Sequence, residues 1–153
     1  MAALDKHYMQ LALRLARDAF GHQEVPVGAV LVVEGKICGW GSNRRMDGNV
    51  LGHAELIALQ TATEALGNWR LLRSTLYVTL EPCIMCTGAL LQARVDRVVF
   101  GCRDPKGGAM RSLFALGEDP RVNHRIKVDE GVLGDESSRL LRDFFENLRM
   151  SKK

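Results

Sequence analysis

The segment from residue 74 to residue 100 constrains the fold more than any other. A β-rich apolar run, 74–80, passes through Glu81 and Pro82 directly into helix-forming residues that continue to about Ala93. A second apolar run, 95–100, follows at once. Two strands joined by one helix pair in parallel, with the helix laid on a face of the sheet. The flanks continue the alternation. Leu4, Tyr8, Leu11, Leu15 and Ala19 recur at helical spacing, which predicts a helix over 5–20 with Asp5 as its cap and Gly21 as its stop. Residues 26–33 and 36–42 read as strands joined by a tight Glu34-Gly35 turn, and 43–52 as a polar loop. A helix is expected from about His53 to Leu66, ending at Gly67, and a short strand within 123–128. The last helix is expected over 135–149, with Leu140, Leu141, Phe144, Phe145 and Leu148 on its apolar side. The sum is an α/β protein: a three-layer α/β/α sandwich around a mixed central sheet of about five strands, in a single domain over 1–153.

Composition excludes several classes. Hydrophobic residues make up 46% and charged residues 25%, the ordinary globular range. No stretch approaches the roughly 20 apolar residues that cross a bilayer. The first residues lack a basic region followed by an apolar one, so no signal peptide is read and a cytoplasmic location is expected. Four cysteines fit that compartment as thiols. Cys38 and Cys102 lie in apolar strand-like runs and read as buried structural thiols, whereas Cys83 and Cys86 are spaced like metal ligands. The net charge of +3 permits a phosphate-bearing partner without demanding one. From residue 137 onward five basic residues (Arg139, Arg142, Arg149, Lys152, Lys153) face two acidic ones (Asp143, Glu146), a pattern a solvated helix face also explains.

Two short motifs carry chemistry: His53-Ala54-Glu55 and Pro82-Cys83-Ile84-Met85-Cys86. Pro is favoured at the first helical position, so Cys83 and Cys86 should share one face of the first turn of the helix it opens. The positive end of that helix lowers thiol pKa and favours the thiolate a metal requires. His53 stands at the start of another helix. One imidazole and two thiolates suit Zn²⁺, and three protein ligands leave the fourth position for water, as in catalytic rather than structural sites. Glu55 is a poor fourth ligand, since residues two apart on a helix diverge; a carboxylate beside the water can instead move its proton to a substrate. Deamination needs that traffic.

At these residues the chain resembles the cytidine deaminase superfamily and, within it, the bacterial tRNA adenosine deaminases. Further carriers are the segments 24–29, 43–44, 75–86, 97–101, 104–109, 123–125 and 143–145. The resemblance implies a cytoplasmic homodimer with one Zn²⁺ per subunit and no organic cofactor. It would deaminate the wobble adenosine of a tRNA anticodon stem-loop, typically of an arginine tRNA, to inosine. It also implies that His53, Cys83 and Cys86 bind zinc, that Glu55 shuttles protons, and that Asn43, Val25 and Ala54 contact the flipped nucleoside. An amide can donate and accept, and an apolar wall excludes water from the base. Possible RNA contacts are Arg44, Arg103, Asp104, Lys106, Arg142, Arg149 and the terminal lysines. Phe144 and Phe145 read as core, His124 as a structural or loop histidine, and His7 and His22 as surface residues. The chain departs from the family pattern at Gly52, where Ala is usual, and at Arg111, where Gly is common; Arg111 is either a phosphate contact or a plain surface charge.

Two other readings share these residues. A free-base or nucleoside deaminase acting on guanine, cytosine or cytidine would keep the zinc core and differ in the flanking segments. A non-catalytic zinc module would close the metal with Cys38, Cys102 or His124.

Overall fold

The computed structural model describes residues 2–151. Its elements, in chain order, are α1 (Ala2–Gly21), β1 (Gly28–Val33), β2 (Lys36–Ser42), α2 (Ala54–Leu66), β3 (Ser74–Leu80), α3 (Ile84–Gln92), β4 (Arg97–Cys102), β5 (Lys127–Glu130) and α4 (Gly134–Ser151). The sheet order is β2-β1-β3-β4-β5. β1 is antiparallel to both β2 and β3, while β3, β4 and β5 run parallel. The mixed five-stranded sheet between helical layers is the expected architecture. Among the described residues no helix is long and apolar enough to cross a membrane.

Period-2 alternation divides the strands between two cores. Ala29, Leu31, Leu76, Val78, Val98 and Phe100 face one side, where they meet Ala54, Ala58 and Ala62 of α2 and Leu90 and Leu91 of α3. Val30, Val32, Tyr77 and Val99 face the other, against Met9 and Ala12 of α1. α4 lies on the α1 side, where Phe144 meets Phe20 edge to face at 5.5 Å. Small residues let α2 sit directly on the sheet: a Cβ at Gly39 would stand 2.1 Å from the carbonyl oxygen of Ala58. That close seat fixes where α2 begins, and hence where His53 points.

Several boundaries and faces differ from expectation. α1 starts at Ala2, so Asp5 lies inside it and caps nothing; its buried carboxylate accepts hydrogen bonds from Tyr77 Oη (2.9 Å) and Arg97 (2.8 and 2.9 Å). The buried face of α1 is Asp5, Met9, Ala12, Leu13, Ala16 and Ala19, and Leu4 is exposed: the side turned to the sheet is set by Met9, Ala12 and Leu13 rather than by the Leu4, Tyr8, Leu11 and Leu15 row. β1 begins at Gly28, two residues after Pro26, which has no N–H for a ladder. Pro82 precedes α3 instead of opening it, since Cys83 keeps an extended backbone. β4 begins at Arg97, as the N–H of Val95 closes the end of α3 on the Leu90 carbonyl. β5 occupies 127–130, leaving Asn123-His124-Arg125 outside the sheet, because the parallel register pairs Lys127 with Arg97. Neither Cys38 nor Cys102 is fully buried. Phe145 is 42% exposed, in contrast to Phe144 at 8%: neighbours on a helix are about 100° apart and cannot both face the sheet.

Candidate active site

The amino ends of α2 and α3 converge beside the carboxyl end of β3, which is where open α/β sheets gather ligands. His53 is the N-cap of α2 and Cys83 the N-cap of α3, both with extended backbones, and neither side chain caps its own helix. They face each other instead. His53 Nδ1 lies 3.7 Å from Cys83 Sγ and 3.5 Å from Cys86 Sγ. With bonds of about 2.0 Å to nitrogen and about 2.3 Å to sulfur, a tetrahedral zinc site has an N···S edge of about 3.5 Å. The donor set and its spacing therefore fit zinc as they stand. Among the described residues these three form the metal-competent group, and neither Cys38, Cys102 nor His124 joins it. His124 Nε2 bonds the carbonyl of Val95 at 2.7 Å, a structural role.

The helix ends shape the local electrostatics. A hydrogen bond from the Cys86 thiol is the main reason Cys83 is held down to about 5; burial opposes the fall, and the N–H groups of Cys86 and Met85 add to it. Donation to Cys83, together with burial, pushes Cys86 up, so the pair shares one proton until a metal displaces it. Glu55, in the first turn of α2, is 4% exposed. Burial pushes its carboxyl up to about 7, and negative charge at Cys83 adds to the rise. A carboxyl at that value can both take and give a proton near neutrality.

A cavity of about 800 Å³ opens over this group. Val25, Asn43, His53, Glu55 and Cys83 line its floor. Asn43 is buried, and its Oδ1 accepts the N–H of Ala54 at 3.0 Å. The acceptor end of the amide is thus committed to the start of α2, which leaves its NH₂ for a ligand. Ala54 is fully buried behind Asn43 and is not on the cavity wall.

Arg103, Asp104, Lys106, Arg142 and Arg149 reach the cavity edge, as does Arg45, which the sequence reading passed over. Arg44 does not; it is exposed and pairs with Asp47 at 3.6 Å. Arg103 holds Glu130 through two bonds of 2.8 and 3.0 Å. Arg111 is neither of the two things anticipated: it spans Glu118 (2.9 Å), Glu130 (3.4 Å) and the Val128 carbonyl (3.2 Å), tying its loop to β5. Lys152 and Lys153 lie outside the described residues. Phe145, Leu141 and Leu148 of α4 form an apolar wall between Arg142 and Arg149. Cys102 also borders the cavity, where burial pushes its thiol up to about 11.

A family model described as MafB19-like deaminase matches residues 4–149. A tRNA-specific adenosine deaminase of Bacillus subtilis (strain 168) is 46% identical over 150 residues, 97% of this chain and 93% of that protein. The chain belongs to the tRNA-specific adenosine deaminase family. Among solved structures, one from a study of A-to-I editing by tRNA:A34 deaminases superposes with a TM-score of 0.85 at 43% identity, covering 88% of this chain and 99% of that one. A guanine deaminase from Nitrosomonas europaea gives 0.77 at 25% identity, over 91% and 83%. In this deaminase the sequence assigned no role to Arg45 at the cavity edge or to two buried acids. Glu24 and Glu81 are 7% and 2% exposed and hold backbone N–H groups of the loops on either side of the cavity. Their one sequence signal is an acid placed next to an apolar strand and a proline.

Proposed function

We propose that this protein hydrolyses the wobble adenosine of a tRNA anticodon, that of an arginine tRNA, to inosine with release of ammonia. The observation that carries the reading is the trio His53, Cys83 and Cys86, spaced for a tetrahedral metal, with buried Glu55 beside it under an open cavity. Zinc held by the three residues would supply a Lewis acid that makes water nucleophilic near neutral pH. Glu55 takes the proton of the attacking water and delivers it to ring N1 of adenine; the water oxygen bonds to C6. Glu55 then takes the remaining proton from the C6 hydroxyl and passes it to the amino group, so the C6–N bond breaks, ammonia leaves and the C6 oxygen becomes the carbonyl of inosine. The NH₂ of Asn43 donates to the nucleoside, Val25 walls the base, and Ala54 serves the site by holding the Asn43 carbonyl.

An anticodon loop offers splayed bases and a phosphate chain. Arg45, Lys106, Arg142 and Arg149 suit the phosphates, with Arg103 and Asp104 at the same edge, and Phe145 offers a half-exposed ring for stacking a neighbouring base. The rest of the reading is one zinc-dependent domain over 1–153, working in the cytoplasm as a homodimer. Exposed Ile84, Leu113 and Phe114 near the site are surfaces a second copy would cover, and sedimentation should give twice the 17.0 kDa chain mass. The likeness to a guanine deaminase favours one alternative, a free-base deaminase. Zinc-loaded protein with an arginine anticodon stem-loop, read by sequencing for A-to-G at the wobble position, decides. Greater turnover of free guanine or cytidine than of the RNA would overturn the first reading.

A further inference from the structure

Glu81 lies between the end of β3 and Pro82, two residues before the first metal-ligand cysteine, and is 2% exposed. Its carboxylate does not reach the solvent or a cation. Oε1 accepts the N–H of Asp104 (3.0 Å) and the Ser112 hydroxyl; Oε2 accepts the N–H groups of Met110 (3.1 Å), Arg111 (2.7 Å) and Ser112 (2.9 Å). Five donors thus converge on one side chain from both ends of a single loop. The loop is pressed against it as well: a Cβ on Gly108 would stand 2.2 Å from the Glu81 carboxyl carbon. The Ala109 N–H bonds the Pro82 carbonyl at 2.9 Å, and Gly108 bridges Cys83. The same loop carries Arg103, Asp104 and Lys106 to the cavity edge.

We propose that Glu81 is a positioning residue that sets the RNA-facing loop 103–112 in register with the metal-ligand turn at Cys83. A backbone N–H has one direction, so four of them sharing one carboxylate fix the path of the loop regardless of its side chains. On the opposite side of the cavity Glu24 does the like for Arg45 and Met46, whose N–H groups it accepts at 3.1 and 2.8 Å. The inference about RNA rests on the proposed function; the loop clamp does not.

The experiment compares zinc-loaded wild type, Glu81→Gln and the milder Ser112→Ala. Hydrogen exchange, zinc content and stem-loop kinetics are measured on each. Glutamine presents an NH₂ to N–H groups that need an acceptor, so amides of Asp104, Met110, Arg111 and Ser112 should exchange about tenfold faster or more. The amides of α3 and the zinc content should hold. KM for the stem-loop should rise about tenfold with kcat kept within about twofold, because the loop binds substrate and transition state alike. The salt dependence of KM should also become shallower, as Lys106 leaves its phosphate. Ser112→Ala should give the same changes at roughly threefold. Unchanged exchange in the loop overturns the clamp even if the wild type has no activity on RNA. Lost zinc or a collapsed kcat overturns it too, since Glu81 would then serve the metal turn itself. A lower melting temperature with unchanged KM and salt slope reduces Glu81 to a purely structural role and refutes the proposal.

Discussion

In the proposed function Asn43 carries two tasks on one amide, and they can be separated. Its side-chain carbonyl receives the N–H of Ala54, an N-terminal tie to α2, and its NH₂ is the group we propose for the nucleoside. Asn43→Asp keeps the acceptor and adds charge at a helix start, where a carboxylate is favourable. Thermal stability should therefore hold while turnover is lost. Asn43→Ala should lose both, with about 1 kcal/mol of stability gone. Melting curves beside inosine assays distinguish the two variants. For Glu55, Glu55→Gln should cut turnover by about 10³ or more while one zinc per chain is retained by metal analysis; release of the metal would instead make Glu55 a ligand. At this scale the convergence of His53, Cys83 and Cys86 into one metal-competent group was legible because residue type and spacing are written directly in residues 53–55 and 82–86. The Asn43 orientation was not, since an amide's two ends look alike until a partner fixes one. Arg44 was named from the sequence and Arg45 was not, whereas Arg45 is the one at the cavity edge: two adjacent cations on a loop differ only in which side of the chain they leave.

Between elements, Asp5 of α1, Tyr77 of β3, and Arg97 of β4 form one buried network, extended to Asp129 of β5 at 2.8 Å. The Arg97 guanidinium, ahead of opposing burial and the Tyr77 hydroxyl, holds the Asp5 carboxyl below the usual range. A depressed carboxylate contributes stability that is present at neutral pH, above its unfolded value of about 3.9, and is lost as pH falls through its folded value. Burial and Asp5 raise Tyr77, so its contribution is present below about pH 10 and lost above it. Arg97→Ala should cost about 3 kcal/mol at pH 7, because it strands Asp5 in the interior. Denaturant melts from pH 7 to pH 3 should show the gap between wild type and variant closing as acid protonates that carboxylate; a constant gap would contradict the network. Element type was readable throughout, and β3 was placed to the residue because glycine-free β-branched sequence has clear edges. Asp5 was misread as a cap because local sequence prefers acids at helix starts, and only the sheet supplies the competing arginine, 92 residues away. Phe145 failed for a related reason: periodicity shows that α4 has an apolar face and not that two walls claim it.

Across the whole molecule, one metal would join the starts of two helices from different parts of the chain, His53 on α2 and Cys83 and Cys86 on α3. Zinc that binds only the folded chain stabilises it by about 2.7 kcal/mol at a hundredfold excess over Kd, or about 8 °C for a domain of this size. Chelation should lower the melting temperature by that order, and Cys86→Ser should abolish the difference. The second whole-molecule property is charge at the cavity rim. Arg45, Arg103, Lys106, Arg142 and Arg149 all border the cavity, yet Arg103 is already engaged by Glu130. Four cations are then free to displace counterions from an RNA strand, at about 0.7 of a logarithmic unit each, so log KM should rise with log salt at a slope close to about 3. Lys106→Ala should reduce that slope by about 0.7 and leave kcat in place. Arg44→Ala should leave the slope unchanged, because Arg44 pairs with Asp47 away from the rim. A slope near zero in the wild type would mean that the substrate carries no phosphate chain along this edge, and the free base would become the better reading of the same cavity.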